Sequence, residues 1–576
     1  MRIDLVRGAD ADALLADEAF ARRWAALYGE CRWSTAFQSR EFVHTWWSSY
    51  RDRHEPLFIL GGDPDGELSG LLPLAIDLAS GSVAAAGAHQ SEYQGWLARD
   101  SDGEFITRAV AHLHAQVGVA SLAFLWLPPG TPLGRLVSDP EWARRTVIRE
   151  WSRPLLDLGD GSAIEEELKR RKFRYWLRAL ERYGPVTFER LTRPEELEQV
   201  LDEIAVTCDL QQAVRNDVQP FAEDAAKRSY HVALMRDARL LHVSVMRAGG
   251  RFVSGQLNLF TRPGEVLLGV LSHSPFFGRS SPGTLHLLRV ARELAREGTA
   301  VFDLTPGGEP GNYKERFATR RDTVHSIQVF FDWKAHVRAR ARRVVATAGR
   351  RALAGVGLSP SRVKGLVQSP PRAVARHALR SLRSLHGHRA VRLYTTDLTR
   401  VVAPSGAEPV RRDSLHDVLA PFDADTPFHG SRREFLAALQ HRLERDEHVY
   451  TRVENGRLTH VGWLAPPQTE VQVTEVGQAV RLTEPAVVLH DFYTPPAWRN
   501  RGICQASLRH VLFDAARLYD VRKAYAFAPA DAAAAIHVLE KLGFEPVGTL
   551  HERQRFGRVE RSAELAAGLQ ATIPDP

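Results

Sequence analysis

Residues 493–504 read Y-T-P-P-A-W-R-N-R-G-I-C. The apolar run at 486–489 predicts a strand that stops at the Pro-Pro pair, because proline cannot donate a hydrogen bond to a neighbouring strand. After Gly502, apolar residues recur every three or four positions as far as Tyr519, which is the spacing of one helix face. The stretch is therefore predicted to connect a strand to a helix.

The loop between this strand and this helix has the chemistry of a phosphate site. Gly502 lets the backbone approach a ligand closely, and the first N–H groups of a helix have no partner within it. Arginine side chains add fork-shaped donors. An ordinary connection with solvated arginines is the alternative. The predicted ligand-binding residues are Thr494, Arg499, Asn500, Arg501, Gly502, Ile503 and Cys504.

This segment resembles the Arg/Gln-x-x-Gly-x-Gly/Ala acetyl-coenzyme A loop of the GNAT N-acyltransferases. Arg499 and Gly502 match that pattern, and Cys504 stands where the family has Gly or Ala. Residues 535–544, A-I-H-V-L-E-K-L-G-F, resemble the family's helix that ends in L-G-F. The resemblance implies that acetyl-CoA or another acyl-CoA is the co-substrate, and that no metal takes part.

Amine acetylation needs a neutral attacking amine and a proton for the leaving thiolate, so a base is expected at the end of the strand. His490 and Asp491 lie there, and strand alternation predicts that they point to opposite faces. Asp491 matches the place where GNAT enzymes often carry an acid; a pair of structural hydrogen bonds is the alternative. Leu539 stands where the family often has its general-acid tyrosine, which leaves Tyr493 and Tyr525 as candidate proton donors.

The composition is that of a globular protein of a reducing compartment, which predicts a cytoplasmic location. At 576 residues the chain exceeds one hydrophobic core, and three or four domains are expected. Cys31, Cys208 and Cys504 are too few and too scattered for a disulfide framework or a Cys-rich zinc site. The acidic N-terminal region is unlike a signal peptide, and no apolar run approaches the roughly 18 residues of a spanning helix.

The net charge of +7 is unevenly distributed. Residues 333–396 contain fifteen Lys or Arg and no Asp or Glu, and subtracting fifteen from +7 leaves the rest of the chain at −8. Such a segment could lie on the anionic inner face of the membrane, contact nucleic acid, or serve as a solvated linker. The negative charge elsewhere argues against a broad nucleic-acid surface.

Two predicted hairpins organise the first 332 residues. The strands of one lie at 56–60 and 68–78, and those of the other lie at 240–246 and 252–260. Each hairpin follows a helical stretch and precedes a further strand and helix. The predicted domains are two similar halves at 1–160 and 161–332, a basic helical linker at 333–389, and a C-terminal domain at 390–576.

Several motifs in the first 332 residues occur together. They are T-A-F-Q-S-R-E-F at 35–42 followed by W-W at 46–47, S-E-Y at 91–93, S-P-G-T-L at 281–285, F-D-L-T-P-G-G at 302–308, and Y-K-E-R-F at 313–317. These residues resemble the bacterial acetyltransferase family named after the cellulose-biosynthesis protein CelD. The resemblance implies two fused GNAT folds, related to the Fem peptidyltransferases, and an association with polysaccharide and envelope assembly. The implied fold class is α/β (α+β), with three GNAT-like units of mixed sheets flanked by helices.

Two segments of the second half carry candidate site residues. Asp303 and Lys314 are predicted to be catalytic; a turn in which Asp303 caps nearby N–H groups is the alternative. Arg279 and Gly283 precede a predicted helix and could hold an anion there, although Pro282 removes one donor, so a degenerate donor site is an equal alternative. The predicted substrate-binding residues are Glu92, Tyr93, Arg279, Tyr313 and Arg316.

These patterns favour an N-acyltransferase that moves an acyl group from acyl-CoA to a small-molecule or sugar amine in polysaccharide or envelope biosynthesis. A Fem-like transferase that uses charged tRNA is one alternative. A scaffold of degenerate GNAT folds, which recruits a polysaccharide assembly complex to the membrane, is another. The Arg-Gly loop at Arg499 and Gly502 favours the first.

Overall fold

The computed structural model describes most of the chain as two compact units. The front unit contains residues 1–208 and 219–332, and the C-terminal unit contains residues 209–218 and 386–572. The predicted linker at 333–389 lies outside the described residues up to residue 385. The described ranges are 1–63, 66–101, 103–307, 313–332, 386–403, 410–421, 431–555 and 558–572.

The first sheet is antiparallel throughout, in the order β1-β2-β3-β4, with β5 paired to β3. The side chain of Asp17 caps helix α2 by accepting hydrogen bonds from the N–H groups of Ala19 and Phe20. The elements are β1 (Arg2–Arg7), α1 (Gly8–Ala16), α2 (Glu18–Glu30), α3 (Arg40–Tyr50), β2 (His54–Gly62), β3 (Leu68–Asp77), β4 (Val83–Ala85), β5 (Leu97–Ala98) and α4 (Glu104–Val117).

The second sheet has eight strands in the order β6-β13-β7-β12-β11-β10-β9-β8. Among its described strands only β11 and β12 run parallel, and helix α11 connects them. Its elements are β6 (Ser121–Leu127), α5 (Arg135–Ser138), α6 (Pro140–Arg145), β7 (Thr146–Asp157), α7 (Ser162–Lys169), α8 (Arg171–Glu181), β8 (Val186–Leu191), α9 (Pro194–Asn216), α10 (Lys227–Arg236), β9 (Leu241–Ala248), β10 (Arg251–Arg262), β11 (Glu265–His273), α11 (Pro282–Arg296), β12 (Val301–Asp303), α12 (Tyr313–Phe317) and β13 (Arg320–Phe330).

The predicted boundary at residue 160 does not separate these two sheets. Strands β6 and β7 precede it in sequence but pair with β13 and β12 in the second sheet. The two sheets also share one apolar core, in which Trp24 and Phe58 of the first part belong with Val243 and Leu257 of the second. The front part of the chain is therefore one compact unit, in which the two predicted similar halves share a sheet and an apolar core.

The third sheet has nine strands in the order β15-β16-β17-β18-β19-β14-β20-β21, with β22 paired to β18. In the described part of this sheet only β18 and β19 run parallel, and helix α15 connects them. Its elements are β14 (His386–Asp397), β15 (Arg411–Arg412), α13 (Leu415–Leu419), α14 (Arg432–Leu443), β16 (His448–Glu454), β17 (Arg457–Val473), β18 (Gln478–Tyr493), α15 (Ile503–Leu518), β19 (Lys523–Pro529), α16 (Ala533–Lys541), β20 (Glu545–Arg555), β21 (Arg558–Leu565) and β22 (Gln570–Thr572).

The predicted fold class is confirmed, because both large sheets are mixed and flanked by helices. Both predicted hairpins are present, as β2–β3 and β9–β10. The predicted helix after Gly502 is α15, and its Leu508, Val511 and Ala515 are buried. Within the part of the chain that the structure describes, no helix is both long and apolar enough to cross a lipid bilayer.

Candidate functional site

The parallel pair β18 and β19 opens at its carboxyl end. The two strands are paired only from Val487 to Leu489, opposite Ala524 to Ala526. Strand β18 then continues to Tyr493 and β19 continues to Pro529 without pairing to each other. The ends of parallel strands that separate in this way leave a crevice, which is the usual ligand position in such sheets.

The loop that follows β18 presents unpaired donors at the mouth of this crevice. Gly502 is the N-cap of α15 with φ +74°, and the space around its α-carbon is open. The first backbone hydrogen bond of the helix runs from the N–H of Ala506 to the carbonyl of Gly502, 3.0 Å away. The N–H groups of Ile503, Cys504 and Gln505 therefore have no backbone acceptor among the described residues and are free to bind an anion.

Two exposed arginines border these N–H groups. Arg499 donates from Nε to the carbonyl of Thr494 at 3.0 Å, which fixes its stem, and the guanidinium of Arg501 lies 4.7 Å from the Trp498 ring centre. Asn500 between them has φ +62°. The hydroxyl of Thr494 is itself held by Nδ1 of His460 at 2.8 Å. Five of the seven predicted ligand-binding residues, from Thr494 to Gly502, thus lie in the loop between β18 and α15.

The remaining two predicted residues are partly or fully covered. Ile503 packs into the core, so only its N–H group can reach a ligand. Cys504 is half-buried, and burial raises the pKa of its thiol to about 11. The thiol is therefore protonated at neutral pH, which excludes a role for Cys504 as a thiolate nucleophile in this state.

His490 and Asp491 lie side by side, and the prediction that they point to opposite faces is wrong. Asp491 has φ +50°, and the register between β17 and β18 is irregular there. This bulge interrupts the alternation of side chains. As a result, Nδ1 of His490 lies 3.6 Å from Oδ2 of Asp491.

Two further charged side chains complete this cluster. Nε2 of His490 lies 3.1 Å from Oε2 of Glu447, and Arg442 forms a close ion pair with Asp491. Burial opposes charge on both groups, but the carboxylates of Asp491 and Glu447, which accept hydrogen bonds from the protonated ring, raise the pKa of His490. Against the same burial, His490 and Arg442 lower the pKa of Asp491. Asp491 is therefore a weak proton acceptor, and His490, whose pKa is raised, is the more basic group of the pair.

The candidate proton donors near the loop are buried. Tyr493 is buried where β18 ends, and Tyr525 lies in the apolar core on one face of the sheet. Leu539 packs in the core on the other face, with Leu508 and Val511 of α15. The role of Tyr493 or Tyr525 as a proton donor stays a prediction.

In the front unit, Asp303 anchors a buried network at the end of β12. Its Oδ2 accepts hydrogen bonds from Tyr93 at 2.6 Å and from Nε of Arg153 at 2.8 Å, and its Oδ1 accepts one from the N–H of Thr305 at 2.8 Å. Arg153 also contacts Glu265. Both oxygens of Asp303 thus accept hydrogen bonds, and the side chain is fully buried. Neither oxygen can therefore touch a substrate in this state.

Glu92 and Lys314 lie next to this network and are half-buried. Burial raises the pKa of Glu92 to about 7, Asp303 adds to the effect, and Lys314 opposes it. Burial likewise lowers the pKa of Lys314. Lys314 donates to the hydroxyl of Thr305. Tyr313, the other predicted residue here, begins α12, and its side chain lies outside the described part.

The loop before α11 is a poorer anion site than the loop before α15. The N–H of Thr284 donates to the carbonyl of Ser281 at 3.0 Å, and Pro282 has no N–H to offer. A Cβ atom at position 283 would lie 3.1 Å from Nδ1 of His273, so the glycine here makes room for the His273 ring rather than for a ligand. Arg279 is exposed. These contacts favour the alternative that the loop before α11 is a degenerate acyl-donor site.

Arg316 lies away from this loop but borders the same cavity as the start of α11. The cavity has a volume of about 540 Å³, and its lining includes Ser281, Thr284, Trp176 and Arg316. Arg316 is exposed. Its predicted substrate-binding role stays a prediction.

Sequence reasoning missed the arginines that organise both clusters. Arg153 is the central cation of the front network, and Arg442 holds Asp491 in the C-terminal unit. Neither arginine could be singled out from the sequence, because the chain has many arginines and the partner of each is distant in sequence. The R-P-L-L-D run at 153–157 offered one signal, because an arginine inside an otherwise apolar strand needs a buried partner. Within the described ranges, no three His, Cys, Asp or Glu side chains are grouped as a metal site.

Comparison with protein-family models gives two matches, one in each unit. Residues 168–315 match the model described as "Acetyltransferase (GNAT) domain", and residues 415–544 match the "Acetyltransferase (GNAT) family" model. These ranges contain the parallel pairs β11–β12 and β18–β19 with their crossover helices. Each unit therefore contains a GNAT acetyltransferase domain. No protein with a curated description matches it.

Three solved structures with a similar fold illustrate the range of matches. The C-terminal domain of a putative lysylphosphatidylglycerol synthetase from Agrobacterium fabrum is 16% identical, covers 56% of this chain and 95% of its own, and has a TM-score of 0.35. The L-PGS of Bacillus licheniformis is 11% identical, with coverages of 57% and 95% and a TM-score of 0.33. FemX is 12% identical, with coverages of 53% and 95% and a TM-score of 0.31. The family assignment depends on the two family matches alone.

Proposed function

We propose that the C-terminal unit transfers an acetyl or other acyl group from acyl-CoA to a primary amine. The observation that carries this proposal is the set of free N–H groups from Ile503 to Gln505, bordered by Arg499 and Arg501, at the mouth of the crevice between β18 and β19. A pyrophosphate matches this arrangement of donors in charge and position. When bound, acyl-CoA supplies an activated thioester.

The chain's own residues would then orient the reactants and move one proton. The N–H groups and arginines fix the phosphates, so that the acyl end lies between the separated strands. In its neutral form His490 donates a hydrogen bond from Nε2 to Glu447, which holds the imidazole in place, and its Nδ1, 3.6 Å from Asp491, accepts the proton that the attacking amine loses. Arg442 keeps Asp491 ionised, which prevents that carboxylate from taking the proton itself.

The acceptor that we propose is a small-molecule or sugar amine used in polysaccharide or cell-envelope biosynthesis, in the cytoplasm or at the inner face of the membrane. The CelD-like motifs of the front unit support this choice, and the lack of a disulfide among Cys31, Cys208 and Cys504, all of them described, agrees with a reducing compartment. Transfer from charged tRNA, or a role as a non-catalytic scaffold, would leave the free N–H groups of α15 without a use.

The test is acyl transfer by the full chain at several pH values, with release of free CoA followed by a thiol-reactive dye and a panel of primary amines as acceptors. His490→Gln is expected to lower the rate by about 100-fold or more, the usual contribution of a general base. His537→Gln, an exposed histidine of α16, is the matched control. A His490→Gln variant with the wild-type rate and pH profile would refute the proposed base.

A further inference from the structure

Helix α8 of the front unit carries a row of arginines along its outer side. Its inner side packs into the core through Phe173 and Leu180, which are both buried. At 3.6 residues per turn, five residues of α8 and its C-cap fall within an arc of about 100° on the side opposite these two. These residues, called the α8 ridge below, are Arg171, Arg174, Tyr175, Arg178 and Arg182, and all of them are exposed. The ridge is about 16 Å long at 1.5 Å per residue.

The four arginines of the α8 ridge have no counter-charge within the fold. Among the residues that the structure describes, none accepts a hydrogen bond from them or forms an ion pair with them, because the acids nearby have other partners. Glu167 of α7 pairs with Arg170 and Lys172. Glu181, the acid of α8 itself, acts on Arg289 of α11. Like charges one turn apart on a helix repel each other, so the folded chain alone gains nothing from this row, whereas an external anion would be attracted to it.

Exposed aromatic side chains lie at the same place. Tyr175 and Tyr183, at 63% and 41% exposure, are the only exposed Trp, Tyr or Phe side chains in the described part of the chain. Tyr175 belongs to the α8 ridge, and Tyr183 directly follows its last arginine. The guanidinium of Arg251 lies 5.4 Å from the centre of the Tyr183 ring, which extends the positive surface beyond the end of α8. Tyrosines are enriched where a protein meets the headgroup region of a membrane.

We propose that the α8 ridge docks the front unit on an anionic lipid surface, with its arginines bound to headgroup phosphates and Tyr175 and Tyr183 at the level of the headgroups. A guanidinium can donate two N–H groups to one phosphate, which suits it to this contact. A straight ridge brings all of these side chains to a flat surface at once, whereas a nucleic-acid strand is held in a positively charged groove. The apolar side of α8 remains in the core, so the contact is electrostatic and needs no insertion into the bilayer.

The test measures lipid binding and no reaction product, so it does not depend on the acyl-CoA site proposed for the C-terminal unit. The full chain is sedimented with vesicles of phosphatidylcholine alone or of phosphatidylcholine and phosphatidylglycerol in equal parts. Binding is expected only with the anionic vesicles, and it should weaken with added salt, which screens the charges. A basic residue close to an anionic bilayer strengthens binding by about fivefold, so loss of all four arginines should lower the partition coefficient by at least about 100-fold.

Three fourfold variants of the full chain decide whether the α8 ridge makes the contact. One changes its four arginines to Gln, and a second changes them to Lys, which keeps the charge and should keep most of the binding. The third is the matched control, in which four other exposed arginines of the front unit are changed to Gln: Arg22, Arg135, Arg144 and Arg149. The control removes the same charge and should still bind. The basic segment at 333–396 is the same in all three variants, so differences among them report on the ridge.

The proposal is overturned if the Gln variant of the α8 ridge partitions as the wild type does, if the control loses as much binding, or if neutral vesicles bind equally well. It is also overturned if the wild type binds transfer RNA but not the anionic vesicles and the Gln variant loses that binding, because the ridge would then serve nucleic acid. Circular dichroism shows whether each variant is folded. If the fourfold Gln variant is not, the double variant Arg174→Gln and Arg178→Gln takes its place, with an expected loss of about 25-fold.

Discussion

Replacing Asp303 by Asn separates a structural role of this carboxylate from a catalytic one. The exchange keeps the shape of the side chain but removes the charge opposite Arg153, which is 4% exposed, and places an amide among the donors Tyr93 and Arg153. Removing one partner of a buried ion pair costs about 3–5 kcal/mol. Arg153 keeps Glu265 and Asp322 as partners, so we expect a loss near the lower end, about 3 kcal/mol.

The assay is urea unfolding of the full chain followed by tryptophan fluorescence. Nine of the twelve tryptophans precede residue 209, so the signal reports mainly on the front unit. Asp52→Asn, at an exposed aspartate of the same unit, is the matched control and should change the free energy of unfolding by less than about 0.5 kcal/mol. If Asp303→Asn costs less than 1 kcal/mol yet abolishes acyl transfer, Asp303 is catalytic and the structural reasoning fails.

Two further predictions concern Glu92 and Gly502. Glu92 has a folded-state pKa of about 7, above its ordinary value of 4.5, so its contribution to stability is fully present below about pH 4.5 and is lost as the pH rises through 7. This difference in pKa corresponds to a free energy of at most about 3 kcal/mol. In urea unfolding, Glu92→Gln should therefore stabilise the front unit at pH 8 and have little effect at pH 4.5. Equal effects at both pH values would contradict this prediction. Gly502 has φ +74°, so Gly502→Ala should cost about 1–2 kcal/mol in thermal unfolding of the C-terminal unit, and an unchanged melting temperature would count against the left-handed N-cap.

The elements that carry the donor loop could be predicted from the sequence because their signals are local. The Pro-Pro pair ends β18 near Tyr493, and the spacing of Leu508, Val511 and Ala515 defines the buried face of α15. The hairpins β2–β3 and β9–β10 could be predicted equally well, because the alternation of apolar and polar residues and the turn residues lie within each segment.

The rest depended on contacts between distant segments. The bulge at Asp491 follows from one left-handed residue, which no periodicity reveals, and it reverses the expected relation of His490 to Asp491. The partnership of Asp303 with Tyr93 spans 210 residues, and that with Arg153 spans 150. The candidate catalytic carboxylate Asp303 is therefore buried among distant partners, and its catalytic role stays a prediction. Likewise, β7 joins the second sheet because its register matches β12 and β13.

The most direct test of the central claim is calorimetric titration of acetyl-CoA and of CoA into the full chain and its Arg499→Ala variant. We predict a single site for either ligand, weakened in the variant by about 1.5–3 kcal/mol, the range for a hydrogen bond to a charged group, which is a factor of roughly 10 to 150 in the dissociation constant. Arg558→Ala, at an exposed arginine of β21, should bind as the wild type does. No heat of binding at millimolar ligand, or equal affinity in the Arg499→Ala variant, would contradict the assignment of the loop before α15 as an acyl-CoA site.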